Sequence, residues 1–284
     1  MKRVVSPHTL EELWQVLEEL PKASLMAGGT DLLVHLRDKG RKVDLILLER
    51  IAEMQHLEQQ DGELVIGAMV THQQLLDSPI IKKHLPVLAQ AVSGLGSPPI
   101  RHMATIGGNI CSASPAGDSL PPLYLLEAKL VLKSKLTSRT VPIQEFILGP
   151  SQTVLAKGEI LAEIRVPVPA PISTTEGIST YCKVGQRKAL AISIVSMAAC
   201  LEMESDGTVR VAKFAWGSVG SKVMVFPELD KYLFGKKLTD DSLRELGMMF
   251  ARQVTPITDL RASAEHRRAL VSNLPLKLLA EFKG

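Results

Sequence analysis

The sequence predicts an α+β protein, with a mixed N-terminal region of about 170 residues followed by a smaller antiparallel sheet domain with helices. Three observations carry this reading. Leucines at helical spacing alternate with short apolar strands over the first fifty residues. Asp61-Gly62 and Asp206-Gly207 sit between alternating segments, where a tight hairpin turn needs them. The Pro-rich stretch PVPAPISTTEG at 167–177 reads as a break between domains. It divides the chain into domain 1–170, with subdomains of about 1–55 and 56–170, and domain 171–284.

Thr9 and Glu12 form a capping box at the start of the first helix. Leu10, Leu13, Leu17 and Leu20 give it one apolar face, and Pro21 stops it. A short strand at Ser24–Ala27 runs into Gly28-Gly29-Thr30-Asp31. LLVHLRDKG then reads as a helix that Gly40 is placed to end. Leu45–Leu48 reads as a strand and LEQQDGELVIGAMV as a hairpin, with helices around Gln73–Asp77 and Pro86–Val92. From Gly94 to Asp118 the chain is rich in Gly, Ser, Pro and Thr yet holds an apolar ATIGGNI core, which predicts an ordered functional loop with Cys111 in an apolar strand pattern. PPLYLLEA reads as a helix, KLVLKS and SRTVPI as paired strands, and ILAEIRVPVP as another strand. Beyond the break, STYCKVG, ISIVSMAACLEME and TVRVAKFAWGSVG alternate as antiparallel strands, and two or more helices finish the chain.

Composition removes several classes of function. Apolar residues make up 45% and charged residues 22%, as in a folded globular protein. A net charge of +3 spread over 284 residues gives no basic stripe for nucleic acid. No apolar run reaches the length of a membrane span, and the polar N-terminus does not resemble a signal peptide, so a cytoplasmic location is expected. Cys111, Cys182 and Cys200 are too few and too scattered for a disulfide framework or an iron–sulfur cluster, and no metal site is expected.

Two double-glycine loops stand out, Ala27-Gly28-Gly29-Thr30-Asp31 and Thr105-Ile106-Gly107-Gly108-Asn109. Glycine permits close approach of the backbone to a ligand, and successive N–H groups in such a loop can hold an anion. Two such loops suit a pyrophosphate, although a Gly-Gly pair after a strand is also an ordinary tight turn. The chain has neither Gly-x-Gly-x-x-Gly nor Gly-x-x-x-x-Gly-Lys-Ser/Thr, so spacing alone leaves the ligand open. His35, His72 and His102 lack ligand spacing and are expected exposed or hydrogen-bonded. Cys111 is expected to be a buried, inert thiol. No nucleophile–base pair is visible, and no catalytic residue is assigned.

AGGTDLL at 27–33 and, above all, ATIGGNICSASPAGDSLPPL at 104–123 resemble the FAD-binding subunits of the xanthine dehydrogenase and carbon monoxide dehydrogenase family. The resemblance continues through GAMVTH at 67–72, IRHMATIGG at 100–108, EILAEIRVP at 159–167, YCKVGQRKALAIS at 181–193 and DLRASAEHRRAL at 259–270. It implies a PCMH-type region of two subdomains holding FAD, with the C-terminal domain covering the flavin. It also implies that Ala27, Gly28, Gly29, Thr30 and Asp31, with Thr105, Ile106, Gly107 and Gly108, hold the pyrophosphate. Ser114 and Asp118 match positions near the sugar-like hydroxyls, Leu161 a wall of the site, and Lys183 a cation near the ring system, where it would stabilise a reduced flavin. Arg187 fits either the same cofactor edge or a surface or subunit-interface position. The sequence departs from the family at HRRAL, where His266 stands for a more usual tyrosine.

The resemblance thus implies an oxidoreductase subunit. It would take electrons from a two-cluster [2Fe-2S] small subunit, fed by a molybdopterin-binding large subunit of xanthine dehydrogenase type, and pass them to NAD or another acceptor. Two alternatives stay open: a stand-alone flavin reductase or oxidase, and a phosphate- or nucleotide-binding module without redox activity.

Overall fold

The computed structural model describes residues 3–38, 40, 42–168, 176–187 and 190–282. The expected break at residue 170 lies outside the described residues. The chain forms two compact units, the first from Met1–Ser78, Gly96–Ala113 and Glu127–Val168, the second from Pro79–Leu95, Ser114–Leu126 and Pro169–Gly284.

The first unit opens with the capped helix that its sequence encodes. The Thr9 side chain accepts the Glu12 amide at 3.1 Å, while Glu12 reaches back one residue further than a strict capping box, to the His8 N–H at 2.7 Å. The helix Leu10–Glu19 buries Leu13 completely and ends before Pro21. It connects β1 (Val4–Val5) to β2 (Ser24–Met26), and β3 (Leu45–Leu47) pairs between them to give a parallel three-stranded sheet.

A five-stranded antiparallel sheet follows. It is built from β4 (Leu57–Gln60), β5 (Glu63–Gly67), β6 (Lys129–Lys133), β7 (Ser138–Pro142) and, beyond the small β8–β9 pair (Ile147–Gly149 and Gln152–Thr153), β10 (Ile160–Pro167). Its order is β4-β5-β10-β6-β7. Asp61 and Gly62 both adopt positive φ, 50° and 78°, the geometry that lets a two-residue turn follow the twist of the strands. Central β10 is buried along nearly its whole length because strands flank it on both sides.

The segment from Gly94 to Asp118 departs from the expectation of a loop with a strand-like core. It carries two short helices, Pro98–Met103 and Ile106–Ser112. Thr105 caps the second by accepting the Gly108 amide at 3.1 Å, and Ala113 closes it in the left-handed region at φ 47°. The apolar spacing of Ile106 and Ile110, both fully buried, is that of one helix face. Over so short a run it is also compatible with a strand.

The second unit is built on β11 (Glu176–Val184), β12 (Val195–Met203), β13 (Val209–Gly217) and β14 (Met224–Val225), antiparallel in that order. Phe214 and Trp216, two residues apart and so on one face, pack with their ring centroids 5.2 and 5.3 Å from Phe250 of the helix Asp240–Gln253. The helices Pro86–Ser93 and Leu120–Leu125 also pack against this sheet, although both precede its strands by many residues. Gln90 fixes the first of them, donating to Ser179 O at 3.0 Å and accepting the Tyr181 amide at 2.8 Å. Arg267 is buried where the helix Ala264–Asn273 meets the sheet. Its guanidinium donates to Ile194 O, to Ser218 O at 3.1 Å and to Asp259 Oδ1 at 2.8 Å.

Candidate functional site

β2 delivers the first glycine loop. A Cβ on Gly28 would fall 1.7 Å from the carbonyl oxygen of Met103, so this residue is glycine because another backbone passes directly against it. Gly29 is glycine for a different reason, its φ of +71°. The N–H groups of Gly28, Gly29 and Thr30 meet no acceptor among the described residues. Three successive amides without a protein partner form the donor set expected for an anion.

The second loop differs. Its amides are engaged inside the protein: Ile106 N–H on Val70 O at 3.0 Å, Gly107 N–H on Ala68 O at 2.9 Å, Gly108 N–H on the Thr105 hydroxyl and Asn109 N–H on Thr105 O. A Cβ on Gly107 would stand 2.6 Å from Ala68 Cβ. Gly107 therefore serves the close approach of residues 104–107 to residues 68–72. What this loop offers a ligand is surface, from Thr105, Gly107, Gly108, Asn109 and Ser112.

Both loops line one cavity of about 380 Å³. Ala27 through Asp31, Thr105, Gly107, Gly108 and Leu161 all face it, while Ile106 is fully buried behind it. The wall away from the glycines is apolar and includes Met26, Leu48, Met54, Met69, Ile160 and Leu161. Cys111 also lines it, and burial pushes its thiol up to about 12, so it stays protonated and unreactive. Asp31 accepts the Ser112 hydroxyl at 3.1 Å and stands 3.5 Å from the imidazole of His35. Glu159 at the rim is held at about 2 by hydrogen bonds from Arg139, both at 2.8 Å, with a further one from the Ala156 amide. The sequence marks His35 only as an exposed or hydrogen-bonded histidine and does not mark Ser112 at all, because only the fold brings them to the cavity.

Ser114, Asp118 and Lys183 belong to the second unit. There Lys183 Nζ donates to Asp118 Oδ2 at 2.7 Å and to Gly94 O at 2.8 Å, and the Tyr181 hydroxyl donates to Asp118 Oδ1 at 2.8 Å. The ion pair is buried, with side-chain exposures of 14% and 9%. Burial pushes the Asp118 carboxyl up, and Lys183 and Tyr181 oppose that shift. Lys183 is thus committed to a carboxylate 65 residues away in sequence. Ser114 accepts the Ala116 amide at 3.3 Å. Arg187 is exposed and donates to Leu190 O.

His35 and His102 are exposed, as expected, but His72 is neither exposed nor hydrogen-bonded through its ring. It is fully buried with both ring nitrogens unpartnered among the described residues, and burial, with Arg101 nearby, holds it at about 4. The imidazole is there to fill space beside the second loop, where the His72 amide donates to Ala104 O at 3.0 Å. Among the described residues no group of three or more His, Cys, Asp or Glu side chains could hold a metal, and no helix is long and apolar enough to cross a membrane.

Comparison with known proteins matches residues 1–169 to the FAD binding domain in molybdopterin dehydrogenase, and residues 180–282 to the CO dehydrogenase flavoprotein C-terminal domain. The glyceraldehyde dehydrogenase medium chain of Sulfolobus acidocaldarius is 31% identical over 98% of this chain and 96% of its own. The xanthine dehydrogenase FAD-binding subunit of Escherichia coli O157:H7 is 31% identical over 96% and 93%. Among solved structures, carbon monoxide dehydrogenase from Hydrogenophaga pseudoflava matches with a TM-score of 0.89 at 29% identity, covering 97% of this chain and 95% of that one.

Proposed function

The chain belongs to the FAD-binding subunits of the molybdopterin dehydrogenases, and from that premise we propose that it is the electron-transfer subunit of a molybdenum hydroxylase. In this reading it receives electrons from a two-cluster [2Fe-2S] small subunit, fed by a molybdopterin-binding large subunit, and passes them to NAD or another acceptor in the cytoplasm. Domains 1–170 and 171–284 are part of the proposal.

The observation that carries it is the run of three unpartnered amides in the first glycine loop, opening on a cavity whose far wall is apolar. That pairing suits a diphosphate joined to an aromatic ring system. Gly28, Gly29 and Thr30 would hold the diphosphate by their N–H groups. The hydroxyls of Thr30 and Thr105 are further donors, and Leu161 and the methionines exclude water from the apolar end. Ser114, Asp118 and Lys183 enter as cofactor ligands through the resemblance alone. FAD, when bound, supplies the capacity to accept electrons one at a time and release them as a pair. The chain's own part is to bind and orient it.

The test is to produce the chain alone and together with its two partner subunits, and to follow the flavin band near about 450 nm without oxygen. The proposal expects flavin to remain after desalting and to be bleached by an aldehyde or N-heterocycle only in the complex. Bleaching of the isolated chain by such a substrate would mark a stand-alone reductase or oxidase. A chain that takes up no FAD would mark a phosphate-binding module.

A further inference from the structure

A diphosphate held by the glycine loop would meet little formal positive charge around the cavity. Each phosphate of such a group carries one negative charge, and the first loop offers only the partial charges of its amides. No Lys or Arg is among the described residues that line the cavity. The ionisable side chains facing it are Asp31 from the loop, His35 from the helix Leu32–Asp38, Cys111 from the helix Ile106–Ser112 and Glu159 at the rim. Cys111 stays a neutral thiol, and Glu159 is already matched by Arg139. On the helix that carries His35, Arg37 lies 3.6 Å from the carboxylate of Asp38. A diphosphate would therefore join the carboxylate of Asp31, leaving three negative charges around His35, the one histidine among the described residues of the lining.

We infer that His35 is the cationic partner of the diphosphate, its imidazole taking up a proton from solvent as the glycine loop fills. Its geometry is ready for this: His35 lies one helical turn beyond Asp31, with Nε2 3.5 Å from Asp31 Oδ1. The pair by itself is weak, since both side chains are more than half exposed, 62% and 61%. The diphosphate supplies the additional field that draws the proton on. Asp31 in turn, anchored by the Ser112 hydroxyl, orients the ring toward the loop. Cofactor affinity is then linked to pH, rising as pH falls through the imidazole range.

This inference rests on the FAD reading, and the experiment separates the two. FAD binding to the full-length chain, freed of flavin, is measured by fluorescence quenching from pH 6 to pH 8. Proton uptake is measured by calorimetry in buffers of differing ionisation heat. Wild type is expected to bind on the order of tenfold more tightly at pH 6 than at pH 8, the effect of a proton taken up with the cofactor. It should take up about half a proton per FAD near the middle of that range. His35→Gln should flatten the profile at the weak, high-pH affinity, and His35→Arg should flatten it at the strong one. Asp31→Asn should tighten binding at pH 8. A wild-type profile without slope, or a His35→Gln profile with the wild-type slope, overturns the role of His35 while leaving the FAD reading intact. Absence of FAD binding at every pH overturns the reading beneath it.

Discussion

Replacing Gly107 with alanine adds one methyl group at the point where two backbone segments of the first unit touch. That methyl would stand 2.6 Å from Ala68 Cβ, 2.7 Å from Ala68 O and 3.0 Å from Ala68 Cα. Ordinary contact needs about 3.5–4 Å, so residues 104–107 and 68–72 must move apart by close to an ångström. Three backbone hydrogen bonds span that seam, Gly107 N–H to Ala68 O, Ile106 N–H to Val70 O and His72 N–H to Ala104 O, at 2.9, 3.0 and 3.0 Å. Overpacking costs about 1–3 kcal/mol, and each weakened bond adds a share of its net value of about 1 kcal/mol. The expected loss is about 2–4 kcal/mol. At about 2–4 °C per kcal/mol, a loss near the middle of that range lowers the Tm by about 6–12 °C. Gly62→Ala is the control: it has open space around its Cβ but a φ of +78°, so its cost is the left-handed penalty alone, about 1 kcal/mol. Thermal unfolding followed by circular dichroism compares the two variants. Adding Ala68→Gly should rescue Gly107→Ala only in part, because the contact with Ala68 O remains. A Gly107→Ala protein as stable as the Gly62→Ala control would refute the reasoning.

Three further outcomes follow from buried groups. His72 titrates at about 4 in the fold against 6.5 when free, so the unfolded chain binds the extra proton between those values. Its contribution is full above pH 6.5 and falls by about 3 kcal/mol as pH drops to 4; in urea titrations at pH 7 and pH 4.5, His72→Gln should narrow the gap seen in wild type. Asp230 has the opposite sign, since burial raises its carboxyl from 3.8 to about 7 and the fold holds the proton that the unfolded chain releases. Asp230→Asn should therefore raise the unfolding free energy from urea titration at pH 8 by about 2–4 kcal/mol and change it little at pH 4; equal gains at both values would rule out the carboxylate as cause. Lys183→Met leaves Asp118 buried with only the Tyr181 hydroxyl opposite, at a cost of about 3–5 kcal/mol, and Asp118→Asn in the same chain should recover most of it. A double-mutant cycle with no coupling would refute the pairing.

Much of this protein was written locally. The first helix follows from Thr9, the leucine spacing and Pro21, all within one short segment, and the hairpin turns at Asp61-Gly62 and Asp206-Gly207 follow from the few residues able to take positive φ. The two glycine motifs are contiguous, so their resemblance to FAD-binding subunits is legible without a fold. The structure decided what depends on neighbours distant in sequence. Gly28 and Gly107 are glycines because Met103 and Ala68 lie against them, and the second loop's amides are spent on residues 68–70 and on its own cap. The ATIGGNI segment could pack as strand or helix by its spacing, and the Thr105 cap with its seam against residues 68–72 made it a helix. The segments Pro79–Leu95 and Ser114–Leu126 were drawn to the C-terminal sheet by packing that their own sequence does not announce. Lys183 found Asp118, and His72 lost its water, for the same physical reason: propensity, caps and turns act over a few residues, whereas burial and charge pairing depend on which distant side chains the packed chain brings together.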